Sequence, residues 1–448
     1  MNIKLPPEVA QVLAALRQKG FPAYAVGGGV RDSLLGRRPG DWDIATAALP
    51  QQVHAALAPI PVVDTGLRHG TVTALLGGRR LEITTFRVDG AYSDHRRPDS
   101  VVFTRSLRED LARRDFTMNA MAYAPEEGLI DPFGGEADLR RGVIRAVGQP
   151  DRRFQEDALR ILRGLRFSAV LGFPLEEQTA QAMDRQRQLL AFIAPERIQA
   201  ELCLLLPGPA AEAVLRRHRE VFAVFLPELA PMFDFDQCNR HHIYDVWEHT
   251  LHAFAAAPPE LTLRLTLLLH DCGKPQTFWR DGQGEGHFYG HAAVSARLAR
   301  QALARLRFER TLAERVERLI YLHDHDILPT EKAMLRWLRR VGEEDLRLLL
   351  QVKRADNRGQ SPEYDRTDQY DAAEAALDAV LAKALCFSRG QLALRGGDLL
   401  RMGLSGPAVG QALDWLVDQV IDGALPNERE ALLCGLQSAL DLRHGSMV

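Results

Sequence analysis

Two aspartates one residue apart, Asp41 and Asp43 in GDWDIAT, lie a short way after three consecutive glycines, Gly27-Gly28-Gly29. On extended chain, side chains at i and i+2 share a face. Paired carboxylates are hard oxygen ligands that suit Mg²⁺, an ion that commonly bridges to substrate phosphates. Two such ions activate an attacking hydroxyl and stabilise a leaving pyrophosphate. The glycines let backbone approach a triphosphate, the N–H groups opening the next helix favour its charge, and Arg31 adds a charge-assisted contact. An acidic pair alone is usually a solvated face, and three glycines alone a turn. Their combination points to nucleotidyl transfer.

A second group begins at His241: HHIYDVWEHTLHAF, then LLLHDCGKP, GHFYGHAAVSA, YLHDHDIL and KRADNRG. One histidine on an apolar helix is ordinarily packed in a core. Several imidazoles and carboxylates in ordered succession instead suit a divalent transition metal or Mg²⁺, which can generate hydroxide for attack on a phosphoester.

These residues need elements to hold them. Between 21 and 145, PAYAV, DWDIA, TVTALL and RLEITTFRV read as short strands separated by glycine turns and by helical stretches such as LPQQVHAALA. From about 153 the period becomes helical: EDALRILRGLRFSAVLGF, EEQTAQAMDRQRQLLAF and PERIQAELCLLL carry apolar residues at three-to-four spacing. PGP at 207–209 and PELAP at 227–231 predict joints. The expected fold is α+β. A head of residues 1–145 has a small sheet with helices, and helical parts follow: neck and body at 146–235, a second metal-binding domain at 236–360, and a tail at 361–448.

The motif GGGVRDSLLGRRPGDWD resembles the opening of the polymerase β nucleotidyltransferase superfamily, and within it the class II CCA-adding enzymes and bacterial poly(A) polymerases. EITTFRVDGAYSDHRRPDSVVF, EDLARRDFTMNA and RFQEDALRILRGLRF follow in that family's order. The resemblance covers roughly residues 20–200. It implies that Gly28 and Arg31 contact nucleotide phosphates or ribose, that Asp41 and Asp43 hold Mg²⁺, and that Arg114 meets the incoming nucleotide. It further implies that Asp157 and Arg160 read the base, with Arg163 and Arg166 as nucleotide or primer contacts. Glu82 is either a third carboxylate or half of a structural salt bridge. The loop at 89–97 resembles the lever used to switch from C to A. The histidine block resembles an HD-superfamily phosphohydrolase, with His249, His270, Asp271, His291, His323 and Asp356 at that family's positions. His287, Asp324 and His325 are rivals for some of these, and Cys272 replaces the usual aliphatic residue.

Chemistry bears on base reading independently. Residues three apart on a helix are neighbours, so Asp157 and Arg160 are expected to present one edge. A carboxylate only accepts hydrogen bonds and a guanidinium only donates. Cytosine and adenine both offer an amino donor beside a ring-nitrogen acceptor, whereas guanine and uracil offer a carbonyl beside an N–H. The expected activity is addition of C, C and A to the acceptor end of tRNA from CTP and ATP. A-only addition, poly(A) synthesis and a primary HD-type hydrolase with an RNA-binding N-terminal part are the alternatives.

Composition sets limits. The net charge of the 448 residues is −3, yet residues 1–173 hold 24 basic against 20 acidic side chains and the remainder 32 against 39. Phosphate binding depends on such local surface, not on net charge. Five cysteines without a CxxC pair argue against disulfides and a cysteine zinc site. Neither a membrane span nor a signal peptide is expected, which predicts a cytoplasmic protein.

Overall fold

The computed structural model describes residues 3–90 and 100–445. Their contacts divide the chain into two compact units, Met1–Ala230 with Ala304–Phe308, and Pro231–Leu303 with Glu309–Val448. The architecture is α+β, a small sheet with a mostly helical remainder, as the periodicity predicts.

In the first unit the strands are β1 (Ala23–Val26), β2 (Asp43–Thr46), β3 (Val62–Gly66), β4 (Thr71–Leu76), β5 (Arg79–Thr85), β6 (Arg87–Asp89), β7 (Val101–Phe103), β8 (Ala122–Ala124) and β9 (Gly128–Ile130). Seven of them form one sheet in the order β3-β4-β5-β2-β1-β8-β9, while β6 and β7 make a separate ribbon. Only β2 and β5 pair in parallel, placing Asp43 opposite Glu82; the other ladders are antiparallel. All four residues of β1 are buried, which is the pattern of a strand covered on both faces. Tyr24, Val26, Ala45, Phe86, Leu111 and Ala122 form a core at its centre. Strands β7, β8 and β9 have three residues each, too few for a period, and β3 is exposed at its centre without apolar alternation, so the periodicity did not mark them.

The helix Pro50–Leu57 matches LPQQVHAALA. The stretch EDALRILRGLRFSAVLGF, residues 156–173, is not one helix: Glu156 ends the helix Pro150–Glu156, the next runs Leu159–Leu171, and the chain breaks between them at Asp157, whose φ and ψ of −140° and 103° are extended. Its carboxylate caps the break by accepting the Leu159 N–H at 3.1 Å. PELAP folds as a 3₁₀ turn, Pro227–Met232.

The second unit is helical apart from one hairpin of β10 (Trp279–Arg280) and β11 (Gly286–His287), which the helical period of its neighbours concealed. Five helices bring the histidine block together: Val246–Ala256, Leu261–Leu269, His291–Arg305, Arg310–Leu322 and Glu331–Asn357. The last contains a kink at Gly342, with φ 79°. Leu335, Leu338, Leu346, Leu349, Leu377 and Leu416 belong to a core shared with the C-terminal helices. No helix among the described residues is long and apolar enough to cross a membrane.

Candidate functional site

A cavity of about 640 Å³ opens in the first unit. Gly28, Arg31, Asp41, Asp43, Arg114, Asp157, Arg160, Arg163 and Arg166 all line it, so every residue the sequence nominated there comes together. The lining also holds Arg113, Asp115, Asn119, Phe167 and Arg197, which spacing gave no reason to choose.

The glycine turn is shaped by sterics. Gly27 has φ 71°, a conformation L side chains rarely adopt, and a Cβ there would lie 3.2 Å from Arg114 Nη1. At Gly29 a Cβ would meet the Trp42 ring at 2.7 Å. Trp42 is buried between the two aspartates and anchors them against the turn. Asp41 lies just ahead of β2 instead of on it, but the chain alternates exposed, buried, exposed through Asp41, Trp42 and Asp43, so both carboxylates still face the cavity. The helix that follows the turn runs Gly28–Leu34, so its opening N–H groups belong to the glycines themselves.

Burial pushes the Asp43 carboxyl up; Arg114 opposes this and Asp41 adds to it. Burial and the Asp43 charge likewise raise Glu82. Carboxylates crowded until they hold protons more tightly are relieved by a divalent cation, so the oxygen donors of Asp41 and Asp43 fit one. Glu82 makes no ion pair among the described residues, and with Asp43, Arg87 and Arg114 it lines a smaller adjoining hollow of about 210 Å³.

Each arginine is held by identifiable groups. Arg31 donates to Asn119 Oδ1 at 2.8 Å and to Asp32, and lies 5.0 Å from the Phe167 ring centre. Arg166 stacks on that ring at 4.2 Å and pairs with Glu201 at 3.0 Å. Arg163 donates to Asp115 at 2.7 and 2.8 Å. Burial alone would raise Asp115, but Arg163, Asn119 and the Phe116 N–H outweigh it and hold the carboxyl far below the usual range. Arg114 donates to Asp110, which also binds Arg113.

Asp157 and Arg160 do not share one continuous helix. Arg197 grips both Asp157 oxygens, at 3.1 and 3.4 Å, and Arg160 donates to Glu156 Oε2 at 2.9 Å and to the carbonyls of Arg113 and Arg153. The pair is thus fixed by neighbours up to forty-seven residues away in sequence. Each member retains capacity for a ligand: those bonds occupy three of the five guanidinium N–H donors, and a carboxylate has about four acceptor positions. Of the loop 89–97, Asp89 and Gly90 are described, with Asp89 3.2 Å from Arg87; the rest, including Arg96 and Arg97, lies outside the described residues.

In the second unit all six nominated residues meet. His249 and His270 Nε2 each lie 3.3 Å from Asp271 Oδ2, and 2.8 and 3.2 Å from Asp356 Oδ1. On the other side of the same carboxylate, His291 and His323 Nε2 lie 3.5 and 4.0 Å from Asp271 Oδ1. The Nδ1 atoms of all four face backbone carbonyls, of Gly359, Leu267, Phe288 and Ile320. Carbonyls only accept, so each Nδ1 carries the proton and each Nε2 turns a lone pair inward, as metal-ligating histidines do. Asp271 Oδ2 also pairs with Lys274 Nζ at 2.8 Å, while Oδ1 is buried without a hydrogen-bond partner among the described residues. The donor set fits divalent metal, in two groups sharing Asp271. Burial lowers His249, but Asp271 and Asp356 reverse this and raise it to about 9, a proton that bound metal would displace. Burial and the facing His270 and His291 lower His323 to about 3.

Among the rivals, His287 pairs with Asp281 on the hairpin at 2.9 Å, and His325 packs beside Tyr321 and Trp337. Asp324 belongs to neither metal group. His242, which was not nominated, stands edge-on to His249 with ring centres 5.0 Å apart. Cys272 is buried, with its thiol toward the Ser295 carbonyl.

Residues 23–145 match the Poly A polymerase head domain, 172–233 the probable RNA and SrmB-binding site of polymerase A, and 288–435 a putative second domain of tRNA nucleotidyltransferases. A CCA-adding enzyme of Geobacillus stearothermophilus is 49% identical over 228 residues, a match spanning 50% of this chain and about half of that relative's length, 56%. A CCA-adding enzyme of Limosilactobacillus fermentum is 36% identical over 423 residues, 94% of both chains. The Bacillus stearothermophilus CCA-adding enzyme solved in complex with CTP superposes with a TM-score of 0.75 at 32% identity, covering 99% of this chain and 100% of that one. With a near full-length relative, a matching head profile and the acidic pair at the glycine turn all in agreement, the chain belongs to the CCA-adding enzyme family.

Proposed function

We propose that this chain adds C, C and A to the 3′ end of tRNA, using CTP and ATP without a nucleic-acid template. The observation that carries this reading is the single cavity in which the Asp41–Asp43 pair, the Gly27–Gly28 turn and the fixed Asp157–Arg160 pair face one space. Relatives across nearly the whole length bear the name CCA-adding enzyme, and one of that name was solved with CTP.

Asp41 and Asp43 would hold Mg²⁺, which when bound activates the attacking hydroxyl and neutralises charge on the departing pyrophosphate. The chain's own groups do the rest. Gly28 has no side chain to occupy the cavity floor; a Cβ there would meet only Arg31 Nη2, at 3.6 Å, so the open side is the ligand's. Arg31 and Arg114 supply positive charge for the triphosphate. Asp157 accepts from the exocyclic amino group of cytosine or adenine, and Arg160 donates to the adjoining ring nitrogen. Guanine and uracil would set a carbonyl against the carboxylate and an N–H against the guanidinium. Arg163 and Arg166 would contact nucleotide or primer. In this reading residues 1–145 catalyse, 146–235 select the nucleotide and contact RNA, and Glu82 serves as an accessory carboxylate. Incubating tRNA lacking CCA with each nucleotide tests it, and failure to incorporate either would refute it. Use of ATP alone would assign the chain to A-only addition, and long adenylate tails to poly(A) synthesis.

A second reading concerns the other unit. Residues 236–360 are proposed as an HD-type phosphohydrolase domain, supported by four inward Nε2 atoms arranged around the buried Asp271 carboxylate in two groups able to hold a metal. Phosphoester hydrolysis that survives Asp41→Ala and fails in His270→Ala would support it; no metal uptake by the wild type would refute it.

A further inference from the structure

Three guanidinium groups in the first unit converge on one phenyl ring. The Cζ atoms of Arg31, Arg163 and Arg166 lie 5.0, 5.6 and 4.2 Å from the centre of the Phe167 ring. On the helix Leu159–Leu171, residues three and four apart are neighbours, so Arg163, Arg166 and Phe167 share one face. Arg31 reaches the same ring from the helix Gly28–Leu34 that follows the glycine turn. All four residues line the cavity of about 640 Å³.

The ring is held in a fixed orientation. Phe116 meets it edge-on, with ring centres 5.9 Å apart and planes at 85°. Phe116 is itself fully buried, and it packs so close to the helix that a Cβ on Gly164 would lie 2.8 Å from its ring. Its neighbour Asp115 grips Arg163 at 2.7 Å, so two consecutive residues brace both the ring and one of its cations.

Gathering like charges costs free energy. Cations three apart on a helix repel. Burial lowers the Arg166 pKa, Glu201 opposes this, and Arg163 and Arg31 add to it. The electron-rich face of a phenyl ring attracts cations and offsets part of that cost. An anion in the cavity would offset more, and donors remain for one. Arg166 pairs only with Glu201, through Nε at 3.0 Å, and its two terminal nitrogens take no hydrogen-bond partner among the described residues. The guanidinium fork suits phosphate oxygens.

We propose that Phe167 is a positioning residue whose ring face assembles Arg31, Arg163 and Arg166 into one phosphate-binding cluster, the seat of the nucleotide's triphosphate or of the primer's terminal phosphate. The choice between these phosphates rests on the nucleotide-addition reading above; the assembly of the cluster by the ring does not. CTP and ATP carry the same phosphates, so the cluster serves both alike.

The test uses the full chain with phenylalanine analogues bearing one, two and three ring fluorines placed at position 167. Fluorine draws electron density from the ring face and leaves its shape nearly unchanged, so packing is kept while the attraction for cations falls. Binding of CTP, ATP and inorganic pyrophosphate, measured by calorimetry with Mg²⁺ and no tRNA, should weaken with each added fluorine, by the same factor for CTP and ATP. Phe167→Leu should weaken binding roughly tenfold and raise KM with kcat unchanged, and Phe167→Tyr should restore both. Weakened nucleotide and pyrophosphate binding identifies the triphosphate as the occupant. A tRNA KM that rises along the series while pyrophosphate binding stays constant identifies the primer phosphate instead. Binding and both KM values flat along the series, a fall in kcat alone, or a loss confined to one of CTP and ATP would overturn the proposal. Stepwise loss of pyrophosphate binding in a chain that extends no tRNA would leave the cluster standing and remove the nucleotide-addition reading.

Discussion

Replacing Asp115 with alanine should destabilise the first unit and weaken nucleotide addition together. The carboxylate is 7% exposed and accepts from Arg163 twice, from Asn119 Nδ2 at 3.0 Å and from the Phe116 N–H at 2.8 Å. Removing one partner of a buried pair costs about 3–5 kcal/mol. The Arg163 side chain is 34% exposed and has Glu201 at 4.0 Å as a second partner, so the lower end, about 3 kcal/mol, is expected. For a unit of this size that is roughly 6–12 °C in the first thermal transition. The sign with pH follows from the direction of the shift. Asp115 titrates far lower when folded than unfolded, so its contribution is complete above the unfolded value of about 3.9 and is lost as pH falls below it. The gap between wild type and Asp115→Ala should be full at pH 7 and narrow under acid. Thermal denaturation across pH, with Arg163→Met to close a double-mutant cycle, measures it. A loss below about 1 kcal/mol, or a gap that widens under acid, would refute the assignment.

Gly27→Ala should lose about 1–3 kcal/mol from the strained positive-φ backbone alone and reduce incorporation by crowding Arg114, measured by denaturation and primer extension. Arg197→Ala should free the Asp157 carboxylate and relax base choice, so misincorporation of UTP or GTP rises more than CTP incorporation falls. Asp271→Asn should reduce divalent metal content measured by elemental analysis while leaving CTP and ATP incorporation intact. Asp41→Ala should abolish incorporation with the thermal transition preserved, since an exposed carboxylate is removed and no core contact is lost.

The residues that make the site were legible because their chemistry constrains their type: an acidic pair after a glycine turn, and histidines in ordered blocks. Their supports were not. Arg197 reaches Asp157 from forty residues away, and Asp115 reaches Arg163 from forty-eight, so no local period records them. The break at Asp157 was hidden because apolar spacing continues on both sides. Its signal was the aspartate itself, a residue that readily accepts from the backbone N–H two positions on. The hairpin at Trp279 was missed for a related reason: its strands are two residues each, too short for alternation to register. His242 sat in the nominated block, but only the fold shows it edge-on to His249.

Sequencing the 3′ ends made from CC-lacking and CCA-lacking tRNA, with CTP and ATP supplied singly and together, tests nucleotide addition most directly. The wild-type chain should leave CC with CTP alone and CCA with both, and Asp41→Ala should leave the ends unchanged. Ends left unextended by the wild-type chain, or extended equally by Asp41→Ala, would contradict it.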